Sequence, residues 1–320
     1  AYLYGNKTNQ YSPANDELAS AVLVGGTNSY TREYNNEGYF GRVQYDYNDT
    51  YFFDASLRRD ASSRFAKENR WGTFYSLGAS WVINKEKFFK ADWVDDLKLK
   101  VSYGQVGNDN IESATLGYYH YSTNYDIVNS NGSVSLVPTG RYGNKNITWE
   151  TTGEFNVGVD FGLFKNRLNG TVEFYSRKTT DMLFNFSLPK SFGYSGYYDN
   201  VGDMINNGLE VTLNGDIIRT RDFTWSANMN ITYNHNYVSY LPKAKKTTTV
   251  DGVKGYTNND YFIGEGEPMY TYYLHKYAGV DHETGEALYY KNVKDKDGNV
   301  TGTTTTKNSS EADYYLCGTA

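Results

Sequence analysis

Residues 38–79 read GYFGRVQYDYNDTYFFDASLRRDASSRFAKENRWGTFYSLGA, and the rhythm inside this stretch decides the fold. Beyond the turn-like Asn48-Asp49, the odd positions are Tyr51, Phe53, Ala55, Leu57 and Arg59, and the even ones are Phe52, Asp54, Ser56, Arg58 and Asp60. The next run continues the pattern, with Thr73, Tyr75, Leu77, Ala79, Trp81 and Ile83 set against Phe74, Ser76, Gly78, Ser80, Val82 and Asn84. A period of two places successive side chains on opposite faces of a strand, so each run has one apolar and one polar face.

The same period recurs along the chain, over residues 39–45, 97–103, 154–163, 168–175, 209–217 and 223–234, with further strands at 269–280 and 287–290. The alternating runs number about ten, and helical periodicity of similar length occurs nowhere. Several reach the ~9–11 residues that a tilted strand needs to cross a bilayer, against ~5–6 for an average globular strand. The connectors alternate too. Residues 46–50, 164–167 and 218–222 are tight turns, whereas 60–72, 106–147, 181–201 and 236–268 are long loops. Short turns at one end and long loops at the other mark an antiparallel transmembrane β-barrel. Residues 84–95 depart from the rule and predict a short interfacial helix on the short-turn side.

Composition fits this class. Among 320 residues stand 33 Tyr, 16 Phe and 5 Trp, with 31 Gly, 5 Pro and a formal charge of −6. So many aromatics exclude a disordered chain, and mild acidity argues against nucleic acid as a partner. The single cysteine, Cys317, excludes an internal disulfide framework. No apolar run is long enough for a membrane-spanning helix, which leaves barrels untouched because they spend only every second residue on lipid. A soluble β-sandwich alternates in the same way, so the rival reading is a soluble or surface-anchored all-β glycan-binding module. The two differ in what the odd-numbered faces touch: lipid for the barrel, a second sheet for the module. Tyr45, Tyr47, Tyr51, Trp71, Trp81, Trp93, Trp149 and Trp225 sit near strand ends, as core plugs or as an aromatic girdle, and their placement near turns favours the girdle.

Residues 38–79 resemble the barrel of the SusC/RagA-type TonB-dependent transporters. The resemblance continues through LKLKVSYGQVGN (97–108), ITWETT (147–152), NVGVDFG (156–162), EFYSRKTTDML (173–183), NVGDMINNGLE (200–210), YAGVDHETG (277–285) and LCGTA (316–320), in family order. It implies a plugged barrel of ~22 strands, energised by the inner-membrane TonB complex through the plug. It also implies a SusD-like lid lipoprotein and import of oligosaccharides or peptides across the bacterial outer membrane. On this reading residues 1–37 are an extracellular loop segment and 38–320 a partial barrel. The family's signal peptide, regulatory domain, plug and terminal strands lie outside these 320 residues, so the piece alone is expected not to make a stable membrane protein.

Transport of this kind needs no covalent chemistry, so no enzyme, catalytic residue, cofactor or metal is expected. The four histidines, His120, His235, His275 and His282, lack ligand spacing. Asp295-Lys296-Asp297-Gly298-Asn299 resembles the middle of a calcium loop, but Val293 and Thr304 would occupy its first and last ligating positions, so a polar hairpin turn is expected. For substrate or lid contact the candidates are Tyr194, Tyr197 and Tyr198 in FGYSGYYDN (192–200) and Tyr118 and Tyr119 in a second aromatic cluster. A tyrosine offers a flat apolar face with a hydroxyl handle, suited to a sugar ring or a peptide groove. The alternative is that these rings merely pack their loops. Arg58, Arg59, Asp60 and Arg64 are expected to form an ion network at the rim or lumen, and Glu154, Asn156, Asp160, Glu173, Glu210, Asn228 and Asn230 to line the lumen.

Overall fold

The computed structural model describes residues 2–4, 28–30, 33–111, 119–130, 133–138 and 140–319. Strands follow one another as β1 (Tyr2–Tyr4), β2 (Asn28–Tyr30), β3 (Asn36–Tyr47), β4 (Tyr51–Ser62), β5 (Trp71–Val82), β6 (Val94–Asn108), β7 (Tyr125–Ser130) and β8 (Ser133–Pro138). Then come β9 (Glu150–Leu163), β10 (Leu168–Thr180), β11 (Leu183–Ser187), β12 (Gly196–Asn200), β13 (Asp203–Arg219), β14 (Thr224–Tyr240), β15 (Thr248–Val250) and β16 (Val253–Asn258). The series ends with β17 (Tyr261–Gly264), β18 (Thr271–His275), β19 (Tyr277–Val280), β20 (Ala287–Lys294), β21 (Val300–Thr306) and β22 (Tyr314–Thr319). The chain divides into two compact units. One comprises residues 1–173, 179–201 and 211–229, the other 174–178, 202–210 and 230–320.

The longest strands form an eight-stranded sheet of order β14-β13-β10-β9-β6-β5-β4-β3, in which β3, β4, β5, β6 and β9 belong to the first unit and the residues of β10, β13 and β14 are divided between the two. Its strands run from 12 to 17 residues, long enough to cross a bilayer. Register carries the sequence rhythm across the sheet. Val43, Ala55, Leu77, Tyr103 and Phe155 align as one row over five strands, and Gln44, Asp54, Gly78, Ser102 and Asn156 as the adjacent row. Odd positions of these strands therefore share one face and even positions the other. The odd face is uncovered: Val43 is 65% exposed, Leu57 56% and Leu77 48%. Among the described residues nothing buries these side chains, as the second sheet of the soluble-module reading would. An apolar face of this extent is foreign to a soluble monomer and suits lipid.

The even face bears Asp54, Ser56, Arg58, Asp60, Ser76, Ser102, Glu154 and Asn156 around a groove of about 740 Å³. Lys100 Nζ meets Asp160 at 2.7 Å and Glu173 at 3.7 Å on the same face. The tight turns are held locally. Phe164, Lys165 and Asn166 all take left-handed conformations, with φ of 56°, 57° and 56°. That strain is restrained by Phe164 stacking on Trp93 at 5.8 Å and by the Asn166 N–H donating to Asp95 Oδ2 at 2.9 Å.

Most buried apolar residues sit in the loops and smaller sheets, and those in the long strands, Ala61, Phe74 and Val238, are few. Phe65, Ile111 and Ile147 form one cluster, with Tyr121, Trp149, Leu183 and Tyr198 packed on it. Trp149 stands 5.5 Å from both Phe65 and Phe74 and donates its indole N–H to the Arg70 carbonyl, so it is a core plug and not part of the girdle. The short-turn belt does form around Tyr47, Tyr51, Trp81 and Phe88, with ring separations of 6.2 to 6.4 Å. Glu86 accepts from Tyr51 Oη at 2.5 Å and Trp81 Nε1 at 3.0 Å, giving both polar tips a partner.

Several expectations are corrected. The stretch 84–95 holds only the three-residue 3-10 turn Ile83–Lys85, tied down because Asn84 exchanges hydrogen bonds with Asp95 and Leu97. The long loops contain the hairpins β7–β8 and β11–β12, and β1 pairs with β2 inside residues 1–37. Residues 269–280 make two strands, β18 and β19, in different sheets. Within the proposed ion network, Arg58 meets Asp60 at 2.5 Å, but Arg59 points to the opposite face and lies over Trp71. Arg64 pairs instead with Asp109 at 3.2 Å.

The second unit holds β15-β16-β17-β18-β22 and β19-β20-β21 as separate sheets. Val238, Leu241 and Ile263 form its buried cluster, flanked by Tyr256 and Met269. Residues 295–299 form the polar turn joining β20 to β21, where Asp295 Oδ1 accepts the N–H groups of Asp297 and Asn299, each at 2.9 Å. Asp281 accepts similarly from Thr284 and receives Lys307 at 3.1 Å, which together pull its pKa down to about 2.

Asp109 is the shared carboxylate of the first unit, since Ser62 Oγ (2.5 Å), Tyr34 Oη (3.1 Å) and Arg64 all converge on it. Its pair with Arg64 is mostly buried, at 16% and 11% side-chain exposure, whereas Arg42 beside Asp54 is 57% exposed. Removing one partner of a buried pair is far costlier than trimming an exposed one. In urea unfolding of the complete protein, Asp109→Ala is expected to lose about 3–5 kcal/mol and Asp54→Ala at most about 1 kcal/mol.

Candidate functional site

The aromatic loop 192–200 folds back as the hairpin of β11 and β12, and its pairing decides which tyrosine faces where. Phe186 lies opposite Tyr197, and Asn185 opposite Tyr198. Neighbours along a strand point to opposite faces. Tyr197 accordingly stacks on Phe186 at 5.1 Å with ring planes 18° apart, on the face of the hairpin opposite Tyr198. Tyr198 turns inward, 4.7 Å from His120 and beneath the Arg141 guanidinium at 4.5 Å.

Residues 140–146 fasten this hairpin from the side. The Tyr142 N–H donates to the Gly196 carbonyl at 2.8 Å, and the Ser195 N–H to the Gly140 carbonyl at 2.9 Å. Asn144 Nδ2 donates to the Tyr198 carbonyl and to Asp199 Oδ1, each at 2.9 Å. Asn200 works as a second clamp. Its Nδ2 donates to the carbonyls of Thr148 and Asp181 at 2.9 Å, while its Oδ1 accepts the Thr148 N–H at 2.8 Å. Gly196 is required by close approach, since a Cβ there would lie 2.1 Å from the Phe186 carbonyl oxygen.

Between hairpin and fastening segment lies a cavity of about 530 Å³, lined by Tyr142, Asn144, Asn146, Leu188, Phe192, Tyr194, Tyr197 and Asp199. Tyr142 meets Tyr194 edge-on at 5.5 Å. A hydrogen bond with Tyr125 pushes the Tyr194 hydroxyl up to about 12, so it stays protonated across the physiological range. The wall combines ring faces with two side-chain amides and a carboxylate. Such a set stacks on a flat ligand surface and exchanges hydrogen bonds with hydroxyl or amide groups; it holds no nucleophile and base in contact.

Of the five tyrosines singled out from sequence, Tyr194 and Tyr197 line this cavity. Tyr198 packs on the buried cluster instead, Tyr119 stands against Tyr121 at 6.3 Å, and Tyr118 lies outside the described residues. Sequence reasoning missed Tyr142 and Asn144, which arrive from a segment some fifty positions away, and Asp199, which lies within the aromatic loop itself. Among the described residues, no group of three or more His, Cys, Asp or Glu side chains could hold a metal ion.

Comparison with known proteins agrees with this architecture. A family model described as "TonB dependent receptor-like, beta-barrel" matches residues 1–316. TonB-dependent receptor SusC of Bacteroides thetaiotaomicron is 31% identical over 279 residues, covering 79% of this chain and 28% of its own length. TonB-dependent receptor P39 of Formosa agariphila is 35% identical over 243 residues, covering 75% and 22%. Among solved structures, the RagAB peptide transporter superposes with a TM-score of 0.74 at 30% identity, covering 95% of this chain and 33% of that one. The chain thus spans roughly a quarter of the length of these curated relatives. With its family model, its register and its lipid-suited face in agreement, the chain belongs to the TonB-dependent receptor-like β-barrel family.

Proposed function

We propose that this chain is part of the barrel of an outer-membrane importer. It would be driven by TonB through a plug in the even face's lumen and would work with a SusD-like lipoprotein lid on oligosaccharides or peptides. The observation that carries the reading is the apolar, uncovered face of the eight-stranded sheet, made by odd positions in β3, β4, β5, β6 and β9 and by the even positions Val172 and Phe174 in β10, with an aromatic belt at its short-turn end. Residues 38–320 then supply wall and outer loops, and residues 1–37 a loop segment ahead of β3. Among the described residues no further strand of the sheet lies beside its edge strands β3 and β14, and hydrocarbon cannot satisfy open edges, so further strands of the longer protein would complete the wall. SusC and RagAB, the latter a peptide transporter, are the relatives that support this assignment.

The loop cavity is the proposed cargo or lid contact. Tyr194 and Tyr197 provide the stacking faces, and Asn144, Asn146 and Asp199 the polar contacts. Binding of cargo to the complete transporter–lid pair, followed by calorimetry, is expected to weaken about tenfold or more for Tyr194→Ala and for Tyr197→Ala, a loss of about 1.4 kcal/mol or greater. Tyr198→Phe, on the packed side, is expected to leave affinity unchanged. Unaltered binding in both alanine variants would exclude this cavity.

Lipid contact is testable at adjacent positions of β6. Val101 lies on the odd face and Ser102 on the even face. For the complete protein refolded into bilayers, Val101→Lys is expected to cost about 2–4 kcal/mol, and Ser102→Lys clearly less. Equal costs would contradict the orientation.

A further inference from the structure

The lipid-facing row of β4 ends in a cation. Tyr51, Phe53, Ala55 and Leu57 lead along the odd face to Arg59, which lies opposite Tyr39 of β3 at the long-loop end. Its guanidinium is held 5.1 Å above the Trp71 ring, and Trp71 in turn stacks on Tyr39 at 6.3 Å and 19°. Among the described residues no carboxylate comes within ion-pair distance of Arg59. Its sequence neighbour Arg58, on the polar face, has Asp60 at 2.5 Å. The one nearby acid on the odd face, Glu37, already accepts the Tyr39 hydroxyl.

A cation facing hydrocarbon is tolerated only toward the membrane boundary, where anionic headgroups can neutralise it. Arg59 stands at such a place, beside Trp71 and Tyr39, both amphipathic rings of the kind that anchor at the interface. Arginine forks onto phosphate with two parallel N–H donors, and the Trp71 ring fixes the guanidinium plane beforehand. We infer that Arg59, with Trp71 and Tyr39, forms a binding site on the outer wall for the phosphate headgroup of an outer-leaflet lipid, whose acyl chains lie along the Leu57 and Leu77 stripe. The inference rests on the membrane orientation proposed above, because only that orientation places Arg59 at the outer leaflet.

The test uses the complete transporter–lid complex in detergent, titrated with phosphorylated lipid A, with lipid A stripped of its phosphates, and with inorganic phosphate. Binding is read by native mass spectrometry and by the shift in thermal unfolding midpoint. Wild type and Arg58→Gln are expected to bind the phosphorylated lipid alike. Arg59→Gln is expected to bind at least tenfold more weakly, and Arg59→Lys to recover part of the loss, which separates charge from folding. Equal binding by Arg59→Gln overturns the site. Equal affinity for inorganic phosphate, or for the stripped lipid, overturns the assignment to a lipid phosphate. Separately, a complex that fails to insert into liposomes overturns the membrane orientation itself, whatever Arg59 does.

Discussion

The structure depends on what must cover the apolar face of one sheet. Eight strands pair with one another along most of their length, yet the sheet supplies no apolar partner for the side chains on one side. In water that face would drive association; in hydrocarbon it is already solvated. The polar face imposes the complementary demand, since Asp54, Asp60, Lys100, Asp160 and Glu173 need water or polar neighbours. A wall between oil and water satisfies both. The two units therefore keep their buried clusters, around Phe65 and Ile147 in one and Val238 and Leu241 in the other, away from the long sheet strands' central rows.

This division of labour explains where specificity is built. The sheet fixes register through uniform hydrogen bonding, and its rows repeat the same chemistry strand after strand. The loops do the opposite. There, single side chains such as Asn144, Asn200 and Asp109 each gather two or three distant partners, so a loop's shape is set by a few polar contacts. A cavity walled by Tyr194 and Tyr197 can thus change its chemistry without disturbing the wall beneath it.

The long strands were legible in the sequence because a period of two sorts their side chains by polarity, and the register of Leu57, Leu77 and Phe155 preserves that sorting. Strand β21 escaped for the converse reason. Its run VTGTTTT places threonine on both faces, so no apolar row betrays a strand. Trp149 reads like a girdle residue from its place near a turn, and only the approach of Phe65 and Phe74 reveals a core plug. Proximity in sequence groups Arg59 with Arg58 and Asp60, yet its odd number assigns it to the other face. The cavity was half visible: FGYSGYYDN marked the aromatic loop, but parity within β12, which separates Tyr197 from Tyr198, follows from pairing with Phe186 and Asn185. Asn144 gave no local signal at all, because its role exists only once two distant segments meet.

The most direct measurement places a spin label at each position from 51 to 60, one at a time, in the complete protein reconstituted into bilayers. Collision rates with oxygen, which partitions into lipid, are compared with those of a water-soluble nickel complex. The account predicts strict alternation, with oxygen favoured at positions 53, 55 and 57 and nickel at 54, 56 and 58. A flat profile, or alternation of the opposite phase, would contradict it.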